Sequence, residues 1–201
     1  MNKKIIKYNP AFLDDEELIQ SFVVRHPELE IILGILKENN GPSNQHILLL
    51  GPRGIGKTTL ARRVAAEIRK KPEYHANWHP IIFGEESYQV GSPGEFWLEA
   101  LFHIAEQTQE ERWNNTYEEL HSERDETRLR ERALAQLMDF ADEKDKRLLL
   151  IVENLNMIVG QQFNRNSEDV WVIRHTLTNE PRIMLLGTAI SRFKEVEQYD
   201  Y

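Results

Sequence analysis

The stretch that decides the fold runs from residue 46 to residue 65 and reads HILLLGPRGIGKTTLARRVA. Its first part, His46 to Leu50, is a short apolar run that ends at a glycine, which is typical of a buried strand. Its last part opens a helix predicted from Thr58 to Lys71, because Leu60, Val64, Ala65 and Ile68 recur at helical spacing. Pro72 marks the end of that helix. The pattern is therefore strand, glycine-rich loop and helix.

The loop between these elements fits the P-loop motif G-x-x-x-x-G-K-[ST] at every fixed position. Glycines allow the backbone N–H groups to wrap closely around phosphate oxygens, and the N-terminal end of the helix favours anions. Lys57 supplies a cation for the β- and γ-phosphates, and Thr58 offers a hydroxyl to Mg²⁺. The predicted nucleotide-binding residues of this segment are Gly51, Pro52, Arg53, Gly54, Ile55, Gly56, Lys57, Thr58 and Thr59.

The remaining segments alternate strands with helices. Strands are predicted at Pro80 to Phe83, Arg147 to Val152 and Arg182 to Gly187, and helices begin after Ser92 and Ser167. The charged stretch from Glu106 to Lys146 contains one helix of regular apolar spacing. This order predicts an α/β fold, a three-layer α-β-α P-loop NTPase with a central parallel sheet. Residues 1–44 are expected to form a helical lead-in segment, and residues 45–201 the core.

An acidic residue follows the third predicted strand. P-loop enzymes hold Mg²⁺ with an acid at such a strand end, and hydrolysing members often follow it with a glutamate that polarises water. Here the two residues are Glu153 and Asn154, and an amide is no base. Either Glu153 serves the magnesium while Asn154 occupies the second position, or Glu153 is itself the base and Val152 stands at the magnesium position. Because Val152 has no ligand atom, the first assignment is favoured.

Thr188 follows the fourth strand, where its hydroxyl is expected to reach the γ-phosphate or the attacking water. The segments SFVVRHPELEIIL, GPRGIGKTTLARRVA, LLLIVENLN and RIMLLGTA, in this order, resemble the AAA+ superfamily. Within it they are most similar to the branch of replication-initiator ATPases and STAND NTPases. The resemblance implies that Phe22, Val23 and Arg25 lie at the base pocket, that Thr188 is the sensor residue, and that Glu153 is the acid of the second motif.

The sequence departs from that family at two points. Asn154 replaces the usual catalytic glutamate, and no fifth strand, arginine for a neighbouring subunit or helical lid is identifiable. We expect a core without its lid domain that is truncated before the final strand. The predicted catalytic residues are Lys57, Glu153, Asn154 and Thr188, the metal residues are Thr58 and Glu153, and the cofactors are ATP and Mg²⁺.

Composition narrows the class of protein further. The chain has 201 residues, no cysteine and a formal net charge of -8, so thiolate metal sites are excluded and a cytoplasmic location is expected. Its longest apolar run, Leu148 to Val152, is far shorter than the roughly 20 residues that cross a bilayer, so no membrane partner is expected. The acidic balance gives nucleic-acid binding no support.

Three functions remain open at this stage. The first is an AAA+-type ATPase that acts as a homo-oligomer or within a multidomain parent protein. The second, motivated by Asn154, is a nucleotide-gated module that exposes a surface to a protein partner and hydrolyses little ATP. The third is a DNA-associated ATPase, which rests on the resemblance alone. The absence of an Asn-Lys-x-Asp string argues against a GTPase.

Overall fold

Helices cover both faces of a parallel sheet in the computed structural model, which describes residues 13–39, 41–42, 44–84, 90–159 and 167–190. The strands are β1 (Ile47–Leu50), β2 (Trp78–Phe83), β3 (Arg147–Val152) and β4 (Ile183–Ala189). The helices are α1 (Asp15–Ser21), α2 (His26–Glu38), α3 (Lys57–Lys70), α4 (Pro72–His75), α5 (Pro93–Thr108), α6 (Glu111–His121), α7 (Glu126–Lys144), α8 (Leu155–Met157) and α9 (Ser167–Asn179).

The sheet order places the ends of three strands side by side. The strands run in the order β1-β4-β3-β2, and every neighbouring pair is parallel. Leu49 of β1 is in register with Thr188 of β4, and Val152 of β3 is in register with Gly187. Because parallel strands end at the same edge, the residues that follow β1, β3 and β4 meet there.

One face of the sheet is covered by the N-terminal helices and α3. Asp14 and Glu17 form a reciprocal capping box that starts α1. The apolar sides of α2 and α3 then pack on β3 and β4, and this cluster includes Leu33, Leu60 and Ile151. The lead-in helices therefore share a core with the P-loop helix and cover one face of the sheet.

The opposite face is covered by α5, α6, α7 and α9. Trp97, Trp113 and Phe140 are among the largest side chains of this cluster and are fully buried. Trp113 and Phe140 meet edge to face with ring centroids 5.3 Å apart, which joins α6 to α7. The two helical layers and the sheet between them confirm the predicted α/β P-loop fold class.

The structure corrects three details of the sequence interpretation. The stretch before β3 contains two helices, α6 and α7, where one was predicted. Helix α6 shows no regular apolar spacing in the sequence, because Trp113 and Leu120 are its only buried residues. Strand β2 begins at Trp78, ahead of Pro80. Strand β4 extends to Ala189, so Thr188, which was predicted to follow this strand, lies within its end.

Candidate functional site

The loop from Gly51 to Gly56 joins the end of β1 to the start of α3. Gly54 and Gly56 have φ angles of 78° and 88°, in the left-handed region that side chains rarely adopt. The N–H of Gly51 donates to the carbonyl oxygen of Ala189 at 3.2 Å, which fixes the start of the loop to the end of β4. The glycines thus permit the tight turn that aims the first N–H groups of α3 into the loop.

Lys57 lies at the start of α3 and is only 9% exposed. Its Nζ donates to the carbonyl oxygens of Gly51 and Pro52 at 2.7 and 3.0 Å. Burial, and secondly the positive charges of Arg25 and Arg53, lower the pKa of Lys57. Three cations therefore share a small volume, and a polyanion in the loop would relieve their repulsion.

The other predicted loop residues have a more open environment. Arg53 and Ile55 are exposed, and Ile55 keeps 43% of its surface accessible. Thr58 and Thr59 are half-buried at the beginning of α3. Among these side chains, Thr58 is the one that the fold connects to a distant strand.

Thr58 contacts the acid that follows β3. Its Oγ1 donates to Oε2 of Glu153 at 2.8 Å, and Glu153 is 4% exposed. Nε of Arg62 lies 3.3 Å from the other oxygen, Oε1. A hydroxyl and a carboxylate side by side form the hard-oxygen donor set that suits Mg²⁺.

The two oxygen donors do not form a complete coordination shell. Within the described ranges, no three His, Cys, Asp or Glu side chains cluster as a metal site. Mg²⁺ usually takes one or two protein oxygens together with substrate phosphates and water, so Thr58 and Glu153 fit a metal that arrives with a nucleotide.

Asn154 and Thr188 lie beside Glu153. Asn154 has a φ of 52° and precedes the short helix α8. Its backbone N–H donates to Oγ1 of Thr188 at 3.0 Å, and Thr188 is 2% exposed. The hydrogen bond ties the ends of β3 and β4 together, so the structure brings Glu153, Asn154 and Thr188 to one edge of the sheet.

The residues predicted to lie at the base pocket, between α1 and α2, differ in their exposure to solvent. Phe22 is 7% exposed and packs under the guanidinium of Arg63 at 5.5 Å, whereas Val23 is 76% exposed. Arg25 has a φ of 63°, and a Cβ built on Gly56 would lie 3.9 Å from its Nε. Arg25 and Val23 thus border the loop and the solvent, and Phe22 belongs to the core.

Residues 21–186 match the AAA ATPase domain family. The chain belongs to that family. It has the nucleotide-binding portion of an AAA+ P-loop ATPase, and the matched range contains the loop, Glu153 and Asn154. Thr188 follows the matched range.

A solved structure shares the fold of this AAA ATPase domain, and two others show a weaker likeness. The ORC2 protein of Aeropyrum pernix, solved as ADPNP–ADP complexes, superposes with a TM-score of 0.62 at 16% identity, over 89% of this chain and 45% of that one. Cdc6p from Pyrobaculum aerophilum gives 0.48 at 19% identity over 89% and 43%. PCH-2 of C. elegans gives 0.44 at 14% identity over 87% and 40%. The domain spans less than half of each structure.

The AAA ATPase domain also contains an apolar cavity of about 320 Å³, away from the loop. Phe96, Ile173 and Leu185 are among its lining residues, and no residue from Gly51 to Thr58 takes part. The lining is mostly apolar, whereas phosphates are bound by several backbone N–H groups and cations such as those at the P-loop. It is therefore not the nucleotide site, and the P-loop is an open surface feature.

Arg62 is the site residue that sequence reasoning missed. It lies four residues after Thr58, the last residue of the motif, and the motif assigns it no role. The available signal was its spacing from Thr58, because residues four apart lie on the same face of a helix. The spacing points to Glu153 only once the fold shows that this face of α3 lies against the end of β3.

No helix within the described ranges is both long and apolar enough to cross a membrane.

Proposed function

We propose that this domain binds ATP together with Mg²⁺ in the loop from Gly51 to Thr58. The observation that carries the proposal is the 2.8 Å hydrogen bond from Thr58 to Glu153, which pairs the last residue of the P-loop with an acid from a distant strand. The buried Lys57 and its cationic neighbours supply positive charge beside this pair. Together they offer a triphosphate its counter-charge and its metal its oxygen donors.

Each side chain has a distinct role in this proposal. Lys57 exchanges its contacts with two loop carbonyls for contacts with the β- and γ-phosphates. Thr58 and Glu153 hold the metal, which when bound supplies charge neutralisation for the phosphates. Thr188 faces the γ-phosphate side, anchored by the N–H of Asn154. Arg25 and Val23 border the base, and Phe22 supports that segment from the core.

The same contact supports the magnesium assignment of Glu153 over its assignment as the base. A general base needs a free oxygen directed at water. In the structure, one oxygen of Glu153 accepts from Thr58 and the other lies against Arg62. Asn154 has no basic atom, so we propose slow hydrolysis unless another subunit or segment supplies the missing group.

We further propose that the domain works within a larger protein or a homo-oligomer. It spans less than half of the structures it resembles. Within the described sheet β1 is an edge strand, and its Leu48 and Leu50 are 37% and 46% exposed. Such an apolar edge favours a covering element from elsewhere in the assembly. A cytoplasmic location agrees with the absence of cysteine.

A nucleotide-gated switch is the second candidate, and Asn154 is the observation that favours it. In that case ATP would bind and order the site for a protein partner without appreciable turnover. The DNA-associated alternative has no support in the charge of -8.

The primary test is Lys57→Ala, with Lys70→Ala as its matched control. Both lysines lie on α3, but Lys70 is at the far end and pairs with Glu16 at 3.1 Å. Loss of a charged phosphate contact should weaken ATP binding by about 10- to 100-fold, measured by calorimetry. The control should bind like the wild type. Equal affinity in Lys57→Ala would refute nucleotide binding at this loop.

A phosphate-release assay on the intact parent protein separates the enzyme from the switch. Sustained Mg²⁺-dependent release, lost in Lys57→Ala, would establish the ATPase. Tight binding without release would establish the switch.

A further inference from the structure

Arg62 and Glu153 form an ion pair inside the proposed metal site. Nε of Arg62 lies 3.3 Å from Oε1 of Glu153, and the two side chains are 18% and 1% exposed. Arg62 is four residues after Thr58 on α3, so both side chains project from the same face of the helix toward the end of β3. Both oxygens of the carboxylate are thus contacted by side chains from α3.

A carboxylate as buried as Glu153 needs nearby positive charge, because desolvation disfavours an isolated anion. Arg62 supplies such a charge without a metal. Mg²⁺ bound to the same carboxylate would bring further positive charge next to the guanidinium, and the two cations would repel each other. The guanidinium and the metal are therefore alternatives for Oε1.

The cations around the loop strengthen this argument. Lys57 is buried at the start of α3, and a Cβ built on Gly56 would lie 3.9 Å from Nε of Arg25, so both cations border the loop. Mg²⁺ alone would add two more positive charges to this region, whereas a triphosphate would bring enough negative charge to offset them.

From this geometry we infer that Arg62 is an internal counter-ion for Glu153, which Mg²⁺ displaces only when a nucleotide accompanies it. The inference rests on the proposed function of Glu153 as a metal residue. It adds a regulatory property to the site: the metal loads with the nucleotide and not before it. Arg62 is a positioning residue here, since it acts through Glu153.

The test compares Arg62→Gln and Arg62→Lys with the wild type. Arg63→Gln is the matched control, because Arg63 is the adjacent residue of α3 and pairs with a different buried acid, Glu67. A fluorescent non-hydrolysable ATP analogue is titrated with MgCl2 and followed by anisotropy. MgCl2 alone is titrated by calorimetry, and thermal unfolding of each nucleotide-free variant reports its stability.

Arg62→Gln should raise the apparent affinity for Mg²⁺ by about tenfold, because the guanidinium no longer competes with the metal for Oε1 of Glu153. It should also lower the unfolding temperature of the nucleotide-free protein, because Glu153 loses its counter-ion. Arg62→Lys retains a cation and should keep the wild-type affinity for Mg²⁺. Arg63→Gln should leave that affinity unchanged. A residue with a merely structural role would lower the affinity for Mg²⁺ when it is removed.

An unchanged or weaker affinity for Mg²⁺ in Arg62→Gln would overturn the inference. Failure of the proposed function has a different signature, since the wild type itself would then bind the analogue without any dependence on MgCl2. Should Arg62→Gln fail to fold, the inference is judged on Arg62→Lys, where an affinity for Mg²⁺ well below that of the wild type would contradict the counter-ion role.

Discussion

Replacing Glu153 by glutamine removes one negative charge from the site while preserving the length of the side chain. In the structure Oε2 accepts from Thr58 at 2.8 Å and Oε1 lies 3.3 Å from Arg62. The glutamine carbonyl can still accept from Arg62, and its amide can donate to Oγ1 of Thr58. The packing of the 1% exposed side chain is retained, so the main change is in the charge available to a metal.

The expected result is a loss of the magnesium dependence of nucleotide binding. Loss of a residue that only supports a metal ligand typically lowers metal affinity by about 10- to 100-fold, equivalent to about 1.4 to 2.7 kcal/mol, and loss of a ligand's own charge should cost at least as much. The affinity of a non-hydrolysable ATP analogue is measured by anisotropy in excess MgCl2 and in EDTA. The ratio of the two affinities should fall by that factor in Glu153→Gln, while the affinity in EDTA stays close to that of the wild type.

Glu67→Gln is the matched control for this experiment. Glu67 is also 4% exposed and ion-paired, with Nζ of Lys71 3.0 Å from its Oε2, but it lies further along α3. Its substitution should leave the ratio unchanged. The reasoning would be refuted if Glu153→Gln kept the wild-type ratio. Trapping of unhydrolysed ATP in that variant would instead identify Glu153 as the base.

Three further predictions concern catalysis, packing and pH. Asn154→Glu should release phosphate about 100-fold faster than Asn154→Gln, because only the glutamate adds a base. Both variants place a side chain of similar length at the same left-handed backbone position, so any strain is matched. Equal rates would argue against a missing base. Gly94→Ala should lower the free energy of unfolding by about 1 to 3 kcal/mol, since the new Cβ would lie 3.1 Å from the backbone N of Arg130. Gly34 lies in α2 with open space around it, so Gly34→Ala should raise the free energy of unfolding by about 0.5 to 1 kcal/mol. Denaturant titration measures both changes. Burial lowers the pKa of His79 to about 4, so the stability that its neutral form contributes is present above pH 6.5 and is lost toward pH 4. Between pH 7 and 5 the free energy of unfolding of the wild type should fall by about 2 kcal/mol more than that of His79→Gln. Equal losses in the two proteins would contradict the lowered pKa.

The order of elements was readable because their signals are local. A strand, a glycine-rich loop and a helix are encoded within residues 46–65, and apolar spacing predicts the other strands without knowledge of their neighbours. Helix α6 lacked such a signal, since its stability depends on the burial of Trp113 against Phe140 of α7. Burial of this kind is decided by tertiary contacts and leaves no periodic pattern.

The candidate site shows the same division. The sequence by itself determined the P-loop, the acid and amide that follow one later strand, and the hydroxyl near the end of another, because each follows an apolar run or a motif. Only the tertiary structure decided that β4 lies between β1 and β3, which brings Thr188 to Asn154. It also decided that Arg62 reaches Glu153. Strand order and side-chain partners depend on which surfaces are buried together, and that choice is made by the whole chain.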